Sequence, residues 1–186
     1  MAFIKITEPE QAEGKLKEIY EELSRSRGKI AEVHKIQSLN PDSIIKHMEL
    51  YMCIMFGKSP LRRVQREMIG VVVSKANNCE YCQVHHAEAV NHYWKNEKRT
   101  MALRQDFRKA ELNKKDLLLC EYADYLTRYP GKANEEKFAE KLIAAGFDDR
   151  AVLDATLIIS YFNFVNRMVL GLGVNLETDP GGYNYD

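Results

Sequence analysis

Apolar positions along this chain recur at intervals of three and four and almost never alternate, so the pattern predicts helices from end to end. Between Pro60 and Ala76, Leu61, Val64, Met68, Val71 and Val72 share one helical face. The run "MIGVVV" inside that stretch is rich in β-branched residues, but a stretch of about four turns is too long for a buried strand and is assigned to a helix. Punctuation divides the rest. Thr7 with Glu10 three residues on forms a capping box that opens a helix running to about Gly28. Asn40 and Pro41 open another that ends near Gly57, and Ser59 with Pro60 opens a third. Further starts are expected at Asn113, Asn134 and Asp148, with stops at Gly131 and Gly146. The predicted fold class is all-α, a single-domain helical bundle over residues 1–174 with a central antiparallel helical hairpin. After Gly173 the stretch "VNLETDPGGYNYD" has turn residues and little to bury, so residues 175–186 are expected to be loose or to dock on a neighbouring subunit.

Composition adds bounds rather than identity. In 186 residues, 45% hydrophobic and 29% charged, there is enough apolar material for one substantial core. Lys+Arg and Asp+Glu both number 27, so no net field favours nucleic acid or an anionic membrane as a partner. The start, "MAFIKITEPE", lacks the long apolar stretch of a secretory signal, and a cytoplasmic location is expected.

The chemistry concentrates in "NNCEYCQVHH", residues 77–86. Asn77 and Asn78 suit a left-handed break between two helices, which puts Cys79 in the first turn of the second. Cys79, Cys82 and His86 then follow at intervals of three and four and project from one face. A helix N-terminus stabilises a thiolate at Cys79, while His86, one turn from Cys82, is placed to take that thiol's proton or stabilise its anion. Two neighbouring thiols with one activated are what reversible disulfide chemistry needs. Two other readings stand beside it. A structural zinc wants four ligands where this segment supplies three, and a buried thiol pair beside a satisfied histidine would do no chemistry. Cys53 and Cys120 lie in apolar helical patterns and read as buried, inert thiols.

Glu67 separates these readings. It lies about ten residues before the Asn77-Asn78 turn on the apolar side of its helix. In an antiparallel hairpin that depth, roughly 15 Å, is near the level of His86. A carboxylate there orients an imidazole and completes a nucleophile, base and orienter set. The competing assignment pairs Glu67 at the surface with Arg63 or Arg66.

Together these residues spell E-x11-C-x2-C-x3-H, which resembles the signature of the alkylhydroperoxidase D-like group within the carboxymuconolactone decarboxylase superfamily. The core of the likeness covers residues 60–95, and "EVHKIQSLNPDSIIKHMELY" and "YFNFVNRMVLGLGV" resemble its peroxidase-related branch. The resemblance implies a thiol-dependent hydroperoxide reductase with no cofactor at its own site. Cys82 would attack the peroxide, Cys79 would resolve, and His86 with Glu67 would relay protons. It further implies a dithiol protein reductant, thioredoxin-like or lipoyl-bearing, and a homo-oligomer, trimer or hexamer. The alternative from another class is a redox-sensing or zinc-binding interaction module. One departure is Tyr81, which stands between the cysteines where the best-studied members can carry a histidine. Members that decarboxylate lactones lack the cysteine pair, so that activity is disfavoured.

Other residues carry weaker signals. His85, His92 and Glu88 share a helix face and are assigned to a solvated or subunit-facing stripe, and His34 and His47 show no partner pattern. Tyr161, Phe162 and Phe164 beside Trp94 are candidates for the lining of a peroxide pocket but are assigned to core or interface, and Asn163 and Asn166 are read as polar residues that cap or bond across a subunit interface.

Overall fold

The computed structural model describes residues 2–183, and every regular element in them is helical. The α-helices are α1 (Gly14–Arg27), α2 (Glu32–Lys35), α3 (Pro41–Tyr51), α4 (Arg63–Ala76), α5 (Glu80–Trp94), α6 (Glu97–Gln105), α7 (Lys114–Arg128), α8 (Phe138–Ala144) and α9 (Asp149–Leu172). α3 runs on into a π turn at Met52–Phe56.

α4 is the central element, packed against α5, α7 and α9. All of residues 65–74 are buried, so this helix has no solvent face, and that is why "MIGVVV" reads locally like a strand. α9 crosses it closely. A Cβ at Gly70 would come 2.8 Å from the ring of Phe162, so only glycine lets the two helices meet there. By length and composition α9 would span a bilayer, but Ala155, Ile158, Ile159, Phe162, Val165 and Val169 turn its inner face into the core.

Several boundaries differ from the expected ones for local reasons. No capping box forms at Thr7. Its N–H donates to Ser38 Oγ and its carbonyl accepts from Tyr20 Oη, so the chain stays extended there and α1 begins only at Gly14. α4 opens at Arg63, not at Ser59-Pro60, because Gln65 Oε1 accepts from the Arg62 N–H and completes a cap three residues later. α8 begins at Phe138, four residues after Asn134, behind Lys137 in a left-handed conformation, and α7 stops at Arg128 before Gly131. The short helices α2 and α6 had no counterpart in the pattern; α6 starts at Asn96, whose side chain accepts from the Arg99 N–H. Gly28, Asn113 and Asp148 stand at the helix ends where they were expected. Cys120 is buried as anticipated, whereas Cys53, at the π turn, is exposed.

The segment after α9 makes contacts back to the body of its own chain. Glu177 accepts from the Glu32 N–H at 2.9 Å and from Tyr81 Oη at 2.8 Å, and its other oxygen lies 2.8 Å from His85 Nε2. Lys29 reaches the Asp179 carbonyl and sits over the Tyr183 ring. The last part of the predicted tail, residues 184–186, falls outside the described residues.

Candidate active site

The site is built on the hairpin of α4 and α5. Asn78 takes the left-handed conformation at φ 56°, while Asn77 stays right-handed at −88° and ends α4. The turn is fixed from outside the hairpin. Asn77 Nδ2 donates to Asn163 Oδ1 and Asn166 Oδ1, both at 3.0 Å, and Asn166 Nδ2 donates to Ser74 Oγ at 3.1 Å. The two α9 asparagines, assigned in the sequence to caps or a subunit interface, therefore bolt the cysteine-bearing turn to α9 of the same chain.

Cys79 occupies the N-cap of α5, one residue ahead of the first turn, and Cys82 follows inside the helix. Both are free thiols and buried. A hydrogen bond from Cys82 lowers the Cys79 thiol below its ordinary value against the cost of burial, and the same bond with burial pushes Cys82 well up. Of the pair, Cys79 is therefore the thiol that more readily ionises, as its place at a helix N-terminus favours.

His86 and Glu67 meet across the hairpin. His86 Nδ1 lies 2.5 Å from Glu67 Oε2, and Arg63 Nη1 donates to the other carboxylate oxygen. The two assignments weighed for Glu67 are thus both present, but in the interior, where Glu67 is 1% exposed. Burial alone raises this carboxyl; the His86 and Arg63 charges and hydrogen bonds outweigh it, and the net shift is downward. With Nδ1 committed to Glu67, Nε2 is the basic nitrogen of His86.

Cys82, Glu67 and His86 border one cavity of about 90 Å3, walled further by Tyr81, Tyr161 and Phe162. Cys79 does not border it. A small molecule in that space meets the sulfur of Cys82 first, whichever thiol holds the charge at rest. Phe164, expected with the other aromatics, is exposed, and the face of Trp94 is taken by Arg99 at 4.0 Å. Among the described residues no three His, Cys, Asp or Glu side chains cluster as a metal site needs.

Sequence reasoning missed a second group on the cavity wall. His47, which had no visible partner, is bracketed by Gln37 Nε2 at 2.8 Å and Tyr161 Oη at 2.6 Å, with His34 edge-on at 5.6 Å. His85 belongs to Glu177 rather than to a solvated stripe. Tyr81, between the cysteines, accepts from the Val33 N–H at 3.2 Å and donates to Glu177. It ties the site to α2 and to the C-terminal segment.

Comparison with known proteins follows the same lines. The family model for the carboxymuconolactone decarboxylase family matches residues 46–114. A peroxidase-related protein from Silicibacter sp. TM1040 is 28% identical, with a TM-score of 0.81 over 87% of this chain and 84% of that one. A peroxidase-related protein with an alkylhydroperoxidase AhpD core, from Ralstonia eutropha JMP134, is 22% identical, with a TM-score of 0.85 over 95% of this chain and 93% of that one. The debrominase Bmp8 in its apo form is 19% identical, with a TM-score of 0.79 over 96% and 94%. No curated protein is similar enough to count as a relative.

Proposed function

We propose that this chain, which matches the carboxymuconolactone decarboxylase family model over residues 46–114 and shares its fold with peroxidase-related proteins, is a thiol-dependent hydroperoxide reductase of the alkylhydroperoxidase D-like group. The observation that carries the reading is the meeting of Cys82, His86 and Glu67 at one small cavity, with Cys79 buried behind Cys82.

The steps balance without a cofactor. His86 Nε2 takes the Cys82 proton, and the thiolate attacks the terminal oxygen of the hydroperoxide. The O–O bond breaks, the leaving alkoxide collects the proton from His86, and Cys82 becomes a sulfenic acid. Cys79, the thiol that more readily loses its proton, attacks the Cys82 sulfur, and hydroxide leaves as water once protonated. Two electrons have passed to the peroxide and a Cys79–Cys82 disulfide is left, which a separate dithiol protein reduces by thiol exchange. The division of labour suits the geometry. Attack needs access, which Cys82 has, and resolution needs only a thiolate next door.

A second reading uses the same electrons. The likeness to a debrominase, solved also as a cysteine-to-alanine variant with 2,3,4-tribromopyrrole, together with the aromatic wall of the cavity, supports a halogenated aromatic as the oxidant. Thiolate attack on the halogen and release of halide by Cys79 end at the same disulfide, with the substrate carbon taking a proton.

The apolar residues Leu153, Leu157 and Phe164, exposed along α9, support the proposed homo-oligomer by offering it an apolar face.

The test is single turnover of the reduced protein with a hydroperoxide, following thiols and disulfide by mass. The expected result is loss of two thiols per chain and a Cys79–Cys82 link, with Cys82→Ser abolishing peroxide consumption. If Cys82→Ser consumes peroxide at the wild-type rate, the reading fails; bromide release from a bromopyrrole without peroxide turnover selects the second one.

A further inference from the structure

Two buried polar groups on the cavity wall are unspent by the chemistry above. The first is the hydroxyl of Tyr161, and its hydrogen can be located by elimination. Gln37 Nε2 lies 2.8 Å from the Val33 carbonyl and 2.8 Å from His47 Nδ1. A carbonyl oxygen only accepts, so the amide must turn its NH2 to Val33, and the second hydrogen of that NH2 points at Nδ1. Nδ1 is therefore bare. The neutral ring carries its hydrogen on Nε2 and donates it across 2.6 Å to Tyr161 Oη. Burial lowers His47 to about 4 and keeps it in that neutral form. Tyr161 thus receives a hydrogen bond from His47 and keeps its own O–H, for which the described residues provide no acceptor. The second group is His34, whose Nδ1 is buried without a partner on the same wall.

We propose that Tyr161 is the substrate-holding residue of this site: its unspent O–H donates into the cavity, to the hydroperoxide oxygen on which negative charge grows as Cys82 attacks. His47, fixed by Gln37, stands behind it as a positioning residue. The proposal rests on the peroxide-reductase reading and deepens it. When the O–O bond breaks, the electron pair goes to the alkoxide oxygen. A donor already in place stabilises that charge without reorganising, which raises the rate of the step rather than merely tightening binding. The ligand class follows from the walls. A cavity of about 90 Å3 whose wall mixes Tyr, Phe and Val side chains with imidazoles, and which offers a free donor and an unpartnered imidazole nitrogen, fits a small organic hydroperoxide, which both donates and accepts.

The experiment is stopped-flow oxidation of the reduced full chain by tert-butyl hydroperoxide, comparing wild type with Tyr161→Phe. The expected result is a second-order rate constant at least tenfold lower in the variant, with the same number of titratable thiols as wild type and an unchanged rate of Cys82 alkylation by iodoacetamide. Because the variant also strips His47 of its acceptor, a second protein carries 3-fluorotyrosine at 161, which keeps the shape and the His47 contact and donates more strongly. It is expected to react no more slowly than wild type below the fluorophenol's own ionisation. Tyr161→Phe reacting within twofold of wild type overturns the proposal, as does the fluorotyrosine protein reacting as slowly as Tyr161→Phe. A wild-type protein inert to every hydroperoxide overturns both this proposal and the reading beneath it.

Discussion

Glu67 shows how much a single buried carboxylate organises. It sits between the imidazole of His86 and the guanidinium of Arg63 with almost no access to water. Its folded value is depressed below the ordinary 4.5, so its contribution to stability is present above that pH and is lost as the pH falls through the folded value. Glu67→Gln keeps the shape but removes the charge that orients and supports His86. The rate of peroxide reduction is expected to drop by about a hundredfold, measured by single turnover at neutral pH. This residue and its three partners were legible in the sequence because their spacing is set by helical geometry within one hairpin. Tyr161 and His47 were not. They are 114 positions apart, and no local period joins them.

At the level of helices, the two that carry the site are held in place by a close approach and by a polar bolt. Gly70 lets Phe162 lie against α4, where His86 Cγ is also only 3.3 Å from a would-be Cβ. Gly70→Ala is expected to destabilise the fold by about 1–3 kcal/mol through overpacking, read from urea denaturation, and to push His86 off Glu67. Helix existence was easier to read than helix limits. The periods of α1, α3, α4, α5, α7 and α9 were visible. The true start of α4 depends on Gln65 reaching back to Arg62, and that of α1 on distant partners of Thr7. The π turn was equally hidden. Arg66 collects the carbonyls of Met55 and Gly57 at 2.8 Å and stabilises a helix end that local propensity alone would not extend.

Taken whole, the molecule closes over its own site. The C-terminal segment returns to α2 and α5, and Glu177 holds it by three hydrogen-bonded contacts, with Tyr183 on the cavity wall. Little in "VNLETDPGGYNYD" announces this, because the partners lie some hundred residues upstream and the segment itself buries almost nothing apolar. Burial works against the Glu177 charge, but His85 and the Glu32 N–H more than compensate and hold it down at about 2. The attachment is therefore full above the ordinary 4.5 and is lost as the pH falls toward 2. The protection of residues 174–183 against hydrogen exchange, relative to the intrinsic rate at each pH, is expected to fall over that window, and Glu177→Gln is expected to show the lowered protection already at neutral pH.

Tyr81 gives that attachment a consequence for the proposed electron supply. The strap is fastened to the residue between the two cysteines. On the proposed reading a dithiol donor would have to bring its own sulfur to a disulfide beneath that fastening, whereas a small peroxide would only have to enter the cavity, so loosening the strap is expected to speed recycling more than oxidation.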